Sequence, residues 1–343
     1  MTEPAADPEL RPEMSVPTRD RHRFGFWWGA LRWLIAAGLL VLILRSVDLG
    51  RLWSLVGRMS LPWFGAAVLT ALADRVVMCA KWLPLLRAQI PDYPRARAVR
   101  GYFAASVGVL VLPGAGADAL RAVALGRGAT GSGLLVGASV VAERALGIAG
   151  SGVAAVVSLL LARHLGLPLP GLTPWIAGLA GLGSILVLLP VLSRGFPDMS
   201  RILKGRGGRA GRLMTRLAEA YSAYRDHPGV WFGVWAASVF EQGMPAVALW
   251  CVARALGADV SLLVLLVATP LTMIVARLPV SVAGLGVFEG GMVYLLTRMG
   301  VSSSEALGIA LGGRVLDVIV LMPGVIWWTE LTGRSIGIRN AGA

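Results

Sequence analysis

Long apolar blocks separated by short basic connections dominate the chain, as in Leu34–Leu44 and Ser261–Ala276. A helix that crosses the hydrocarbon core of a bilayer needs about 20 mostly apolar residues. The pattern predicts helices over about Trp27–Leu44, Leu61–Leu86, a third that starts near Val99 and meets Pro113, then Leu134–Leu161, Pro174–Leu192, Val230–Leu256, Ser261–Arg277 and Ser304–Trp328. Two shorter apolar segments, Ala117–Leu125 and Gly286–Met299, follow breaks that contain Pro and Gly. The expected fold class is an all-α polytopic membrane protein with about eight transmembrane helices. Two of its hairpins are Pro/Gly-broken, either re-entrant or fully crossing. Residues 1–24 read as a disordered cytoplasmic N-terminus and 25–332 as the transmembrane domain. Residues 194–229 read as a basic cytoplasmic loop and 333–343 as a cytoplasmic tail.

Composition narrows this picture. Only 15% of the 343 residues are charged and 56% are hydrophobic, whereas soluble domains run near 25% charged. The formal net charge is +13. In a soluble protein that excess would suggest nucleic acid. Here the arginines sit between apolar blocks, so they read as topology signals and headgroup contacts, and no nucleic-acid partner is expected. Arg87, Arg95, Arg97 and Arg100 follow the second helix, and Arg201, Lys204, Arg206, Arg209, Arg212, Arg216 and Arg225 crowd the large loop. Both connections are expected in the cytoplasm, with both termini, in a bacterial inner membrane. Arg45, Arg51 and Arg58 in the first outer loop run against this orientation and are outvoted. In the basic loop, Leu213, Leu217, Tyr221 and Tyr224 recur at helical spacing and suggest an interfacial helix. Cys79 and Cys251 lie within apolar blocks, His22, His164 and His227 do not cluster, and no phosphate-binding P-loop occurs. No metal, cofactor or catalytic residue is expected.

Two segments resemble each other. Leu112-Pro113-Gly114-Ala115-Gly116-Ala117-Asp118 and Leu278-Pro279 with Gly284-Leu285-Gly286-Val287-Phe288-Glu289 each join a Leu-Pro to a Gly-x-Gly and an acidic residue. An arginine follows each at the same interval: Gly116 to Arg144 and Gly286 to Arg314 are both 28 residues. By the expected topology one segment is entered from the cytoplasm and the other from outside, which would make them inverted repeats. In transporters of that design the substrate sits at the repeat interface beside broken helices. Helix starts near Ala117 and Val287 would turn positive dipole ends inward, suited to phosphate or carboxylate.

Charges inside apolar blocks are costly, about 2.5–3.5 kcal/mol each at a helix centre. Asp74-Arg75, Glu143-Arg144, Glu241, Arg314 and Asp317 all lie there. Glu143 and Arg144 point about 100° apart on one helix and should seek partners on other helices. Arg314 and Asp317 can pair at i, i+3. Asp74 and Arg75 read as structural, and Arg254 and Arg277 as residues snorkelling from span ends.

These residues resemble the transmembrane region of lysyl-phosphatidylglycerol synthases, a flippase-like family. The resemblance rests on Pro113-Gly114-x-Gly116-x-Asp118-x-x-Arg121, Glu143-Arg144, Pro279-x-Ser281-x-x-Gly284-Leu285-Gly286-x-x-Glu289-Gly290, Arg314, and Lys81-Trp82 at the end of the second helix. It implies translocation of an anionic or phosphate-headgroup lipid, the partner being a membrane phospholipid or an isoprenoid lipid. Arg121, Arg144 and Arg314 would bind the headgroup, and Asp118, Glu143, Glu241, Glu289 and Asp317 would line a polar path or pair with them. Pro113, Gly114, Gly116, Pro279, Gly284 and Gly286 would break the helices. The chain ends at Ala343 without a soluble aminoacyl-transferase domain, so synthesis of the lipid is not expected. Phe288 stands where many relatives carry arginine, which leaves the headgroup open. An accessory role beside a lipid- or isoprenoid-pathway enzyme (for example in hopanoid synthesis) is the alternative. A membrane transferase with Glu143 or Glu289 as base is a third reading, without a supporting constellation.

Overall fold

The computed structural model describes residues 34, 38, 41, 45, 48–111, 116–126, 133–169, 171, 173–192, 223–277, 281 and 284–328. The helix breaks at Pro113, Gly114 and Pro279 lie outside them. So do most of the first predicted helix and Leu213, Leu217 and Tyr221 of the basic loop. All regular structure among the described residues is helical. The order is α1 (Leu49–Gly57), α2 (Leu61–Gln89), α3 (Arg95–Val111), α4 (Gly116–Gly126), α5 (Gly133–His164) and α6 (Thr173–Leu192). A 3-10 turn (Ala223–Asp226) precedes α7 (Pro228–Glu241), α8 (Met244–Ala255), α9 (Leu262–Ala276), α10 (Val287–Arg298) and α11 (Ser303–Ile319).

Four helical stretches among the described residues are long and apolar enough to cross a bilayer: α2, α5, α7 with α8, and Ser303–Trp328. α6 adds 20 residues without a charge. Their outer faces confirm the solvent. Leu69, Leu179, Phe240 and Ile326 expose 68%, 70%, 73% and 71% of their surface. Such apolar faces are a liability in water but match lipid tails. The chain is a multi-pass membrane protein. By contrast α4 and α10 have 11 and 12 residues, or about 16–18 Å at helical rise, short of the ~30 Å hydrocarbon core.

Two of the predicted single helices are broken, and the sequence carries the reason. Val230–Leu256 is two helices with a turn at Gln242-Gly243. Pro245 has no N–H to offer the Glu241 carbonyl, so the ladder is interrupted there. Gln242 and Gly243 bond instead to Val239 and Phe240, at 3.3 and 3.1 Å. The last predicted helix likewise turns at Val320–Leu321, where Pro323 cannot donate to Ile319. Just beyond, Gly324 lets the backbones meet, since a Cβ there would lie 2.1 Å from the Phe103 carbonyl oxygen of α3.

Loop contacts define two ends. Ser60 N–H donates to Ala255 O at 2.8 Å, and the Ser304 hydroxyl to Asp48 O at 3.4 Å. This joins α1, the α8–α9 connection and the start of α11 at one end. At the other, the Tyr93 hydroxyl donates to Leu125 O at 2.9 Å and that of Tyr224 to Leu85 O at 3.1 Å. Burial raises both phenol pKa values above the ordinary tyrosine range, so both remain donors. Tyr224, expected on the lipid face of an interfacial helix, is instead fully buried against Trp231, Leu85 and Leu146. Its ring is worth more inside a hydrogen-bonded core than on the membrane surface.

Small residues let the helices approach. A Cβ on Gly152 of α5 would fall 2.1 Å from the Ala180 carbonyl oxygen of α6. Nearby, the Ser184 hydroxyl crosses to Ala149 O at 2.7 Å. Replacing Gly152 with alanine is expected to push α5 and α6 apart and to destabilise the protein by about 1–3 kcal/mol, visible as a lower unfolding midpoint in detergent. An unchanged midpoint would refute the contact.

Candidate functional site

The short helices α4 and α10 present acidic first turns to arginines on the long helices that follow. Arg144 of α5 grips Asp118 of α4 in a two-pronged contact, Nε to Oδ2 and Nη2 to Oδ1, both at 2.8 Å. Arg314 of α11 donates from Nε to Glu289 Oε1 of α10 at 2.5 Å and from Nη2 to the Gly284 carbonyl at 3.1 Å. Its Nη1 lies 3.6 Å from Asp317, the expected i, i+3 neighbour. Both segments therefore hold the same pairing, a short-helix carboxylate against a long-helix arginine. Glu143 and Arg144 do find their partners off their own helix, since Glu143 accepts from Arg121 at 2.5 Å.

The N-terminus of α10 is occupied by the chain's own carboxylate. Glu289 Oε2 accepts from the Gly286 N–H at 2.7 Å. Gly286 and Gly284 hold φ of +78° and +70°, conformations that glycine adopts without a Cβ penalty. The anion expected at this dipole end is thus Glu289, which in turn orients Arg314.

The three headgroup candidates differ in access. Arg121 is 4% exposed, clamped by Glu143 and lying 4.7 and 5.0 Å from the ring centres of Trp82 and Tyr102. That enclosure makes it the centre of a packed polar knot. The Arg144 side chain is 55% exposed. Arg314 is 26% exposed and lies over the Phe288 ring at 5.2 Å.

Two cavities lie near the middle of the long helices. One of about 310 Å³ is bordered by Asp74, Arg75, Glu241, Arg277, Arg314 and Asp317. A second of about 760 Å³ is bordered by Glu143 and Arg144 and walled by Ile148, Leu179, Ile274 and Val275. Ile148 and Leu179 are 59% and 70% exposed, so this cavity continues onto the lipid-facing surface between α5 and α6. Met78, Glu241, Gln242 and Arg277 border both cavities and form the partition. They are held there. Lys81 pairs with Glu241, and its Nζ also reaches the Ser238 hydroxyl at 3.2 Å. The Ser151 hydroxyl accepts from Arg277 and donates to Gln242 Oε1 at 2.8 Å.

Several of these residues were read differently from sequence. Arg277, exposed at the C-cap of α9 as its place at a span end suggested, also donates to Ser151 and borders both cavities. Asp74 and Arg75 border the smaller cavity, where Asp74 Oδ1 and Arg75 Nε are buried without hydrogen-bond partners. Lys81 and Trp82 lie within α2, two turns before its end, and Trp82 donates to the Ser139 hydroxyl at 3.1 Å. Arg254 does sit at a helix end, paired with Asp259 at 3.2 Å. Gln242 and Ser151 were missed; the Gln-Gly-x-Pro at 242–245 was the available signal. Among the described residues no His, Cys, Asp and Glu group could hold a metal.

The combination of Gly-x-Gly helix starts, paired carboxylate and arginine, and Lys81-Trp82 is now placed on one framework, and the family model for the lysylphosphatidylglycerol synthase TM region matches residues 29–324. The chain belongs to that family. The match covers every described helix up to Gly324, including both cavities, and makes this a membrane protein of a lipid-metabolism family. No curated protein matches the chain.

Proposed function

We propose that the protein translocates a phosphate-headgroup lipid between leaflets, with the headgroup moving through the polar cavities and the tails in the bilayer. The observation that carries this reading is the 760 Å³ cavity: Arg144 and Glu143 at one part of its wall, aliphatic residues open to lipid at another. A lipid has the same two-sided chemistry, and an exposed arginine offers two-pronged contact to phosphate. The smaller cavity, behind the Glu241–Gln242–Arg277 partition, continues the polar route toward Arg314. α3–α4–α5 and α9–α10–α11 form inverted repeats around it, and about eight crossings leave both termini in the cytoplasm. The end bearing Arg87, Arg95, Arg97 and Arg100 is the cytoplasmic one in a bacterial inner membrane. The protein is not an enzyme in this reading, and transport is downhill or ion-coupled.

The test is exchange of fluorescent anionic lipids in proteoliposomes, read by quencher accessibility. Exchange faster than in empty liposomes is expected. A plug gives the internal control. Gly147 borders the larger cavity, and a Cβ there would meet nothing within 4 Å. Gly147→Phe is expected to fold normally and to reduce exchange at least about tenfold by filling the route. Exchange no faster than in empty liposomes, with folded protein and several headgroups, would transfer the weight to an accessory role beside a lipid-pathway enzyme.

A further inference from the structure

A third hollow, of about 500 Å³, lies at the end of the molecule where α2 ends and α3 and α7 begin. It shares no residue with the two central cavities. Its rim carries Arg87, Arg95 and His227, each from a different segment, and its floor is apolar, built by Leu83, Pro84 and Val230. All three basic residues are exposed. Arg87 spends its Nε on the Pro91 carbonyl at 3.3 Å, which leaves both terminal nitrogens open. Among the described residues no carboxylate forms an ion pair with any of the three. Asp92 and Asp226, next to them in sequence, do not border the hollow. The first N–H groups of α7 also lack a side-chain cap at His227.

We propose that this hollow is a resident binding site for an anionic phospholipid, separate from the translocation route. The phosphate ester sits among Arg87, Arg95 and His227. The proximal part of an acyl chain lies on Leu83, Pro84 and Val230, one helical turn further into the bilayer along α2 and α7. Cations without acidic partners select negative headgroups over zwitterionic ones. The apolar floor selects a lipid over a soluble anion. Such a lipid ties together α2, the entry to the α3–α4 hairpin, and α7, which leads to the Glu241–Gln242 break. The site does not depend on the transport reading.

The test is native mass spectrometry of the full chain in detergent with equal amounts of phosphatidylglycerol and phosphatidylcholine. One phosphatidylglycerol retained per chain, in preference to phosphatidylcholine, is expected. R87A/R95A is expected to weaken it about thirtyfold, from two surface cations acting on one anionic lipid. R254A/R298A removes the same charge at the opposite end and is expected to bind as wild type. R87K/R95K keeps the charge and is expected to bind within a fewfold of wild type, which separates loss of the site from loss of the fold. Retention in R87A/R95A, equal weakening in R254A/R298A, equal binding of phosphatidylcholine, or failure of folded R87K/R95K to bind would each overturn the site. Displacement of the lipid by inorganic phosphate at comparable concentration would also overturn it, as it would mark a site for a soluble anion.

Discussion

Replacing Arg144 with alanine is expected to slow lipid exchange in proteoliposomes by about ten- to a hundredfold. That is the worth of one charge-assisted contact of about 1.5–3 kcal/mol to the moving phosphate. Arg144 also has a structural bond, its two-pronged grip on Asp118, so the single variant does not identify the cause. The pair can be separated. In Asp118→Asn the arginine remains, with a weaker competitor for its guanidinium. If Arg144 holds lipid, this variant exchanges as fast as wild type or faster, while R144A/D118N stays as slow as R144A. If Arg144 serves only to fasten α4 to α5, Asp118→Asn is itself slow and the double variant is no slower than either single one. Arg144→Lys should fall between, since an ammonium keeps the charge but not the paired donors. The same logic applied to Arg314 and Glu289 predicts a smaller effect, because Arg314 is only 26% exposed and is held by Glu289, the Gly284 carbonyl and Asp317.

What the sequence made legible follows a physical division. Apolar blocks of spanning length marked α2, α5 and α6 closely, because bilayer thickness leaves little freedom. The acidic–arginine pairings across α4–α5 and α10–α11 could be expected from the cost of an unpaired intramembrane charge. Their partners could not, since Glu143 chooses Arg121 and Arg144 chooses Asp118 through the three-dimensional packing of α4 on α5. The break at Gln242–Gly243 was hidden by a different cause. Pro245 sits early in α8, where a missing N–H is tolerated, so hydropathy runs through it undisturbed. The position of Arg277 after an apolar block placed it at a helix end, but could not show its bond to Ser151 on another helix. Arg277 is exposed at the C-cap of α9, and its guanidinium reaches the Ser151 hydroxyl of α5 where the two cavities meet.

Lys81 and Glu241 give the second large effect, and it concerns stability. Both side chains are nearly buried, 4% and 8% exposed, and they join α2 to the break between α7 and α8. Removing one partner of a buried pair leaves an uncompensated charge, at a cost of about 3–5 kcal/mol. Lys81→Met is therefore expected to lower the unfolding midpoint sharply, and Glu241→Leu to do the same. The combined variant K81M/E241L removes both charges and fills the space with apolar atoms. It is expected to regain most of the loss, because the desolvation cost of the pair disappears along with its attraction. Thermal unfolding in detergent measures all three. Additive losses would show that the two side chains act independently and would dissolve the pair as the fastener of the partition. Recovery in the double variant would leave a stable protein whose partition lacks its ion pair but keeps the Arg277–Ser151–Gln242 hydrogen bonds. Exchange in that variant then separates the two fasteners. A rate like that of wild type assigns the barrier between the cavities to the hydrogen-bonded side, and a faster one assigns it to the ion pair.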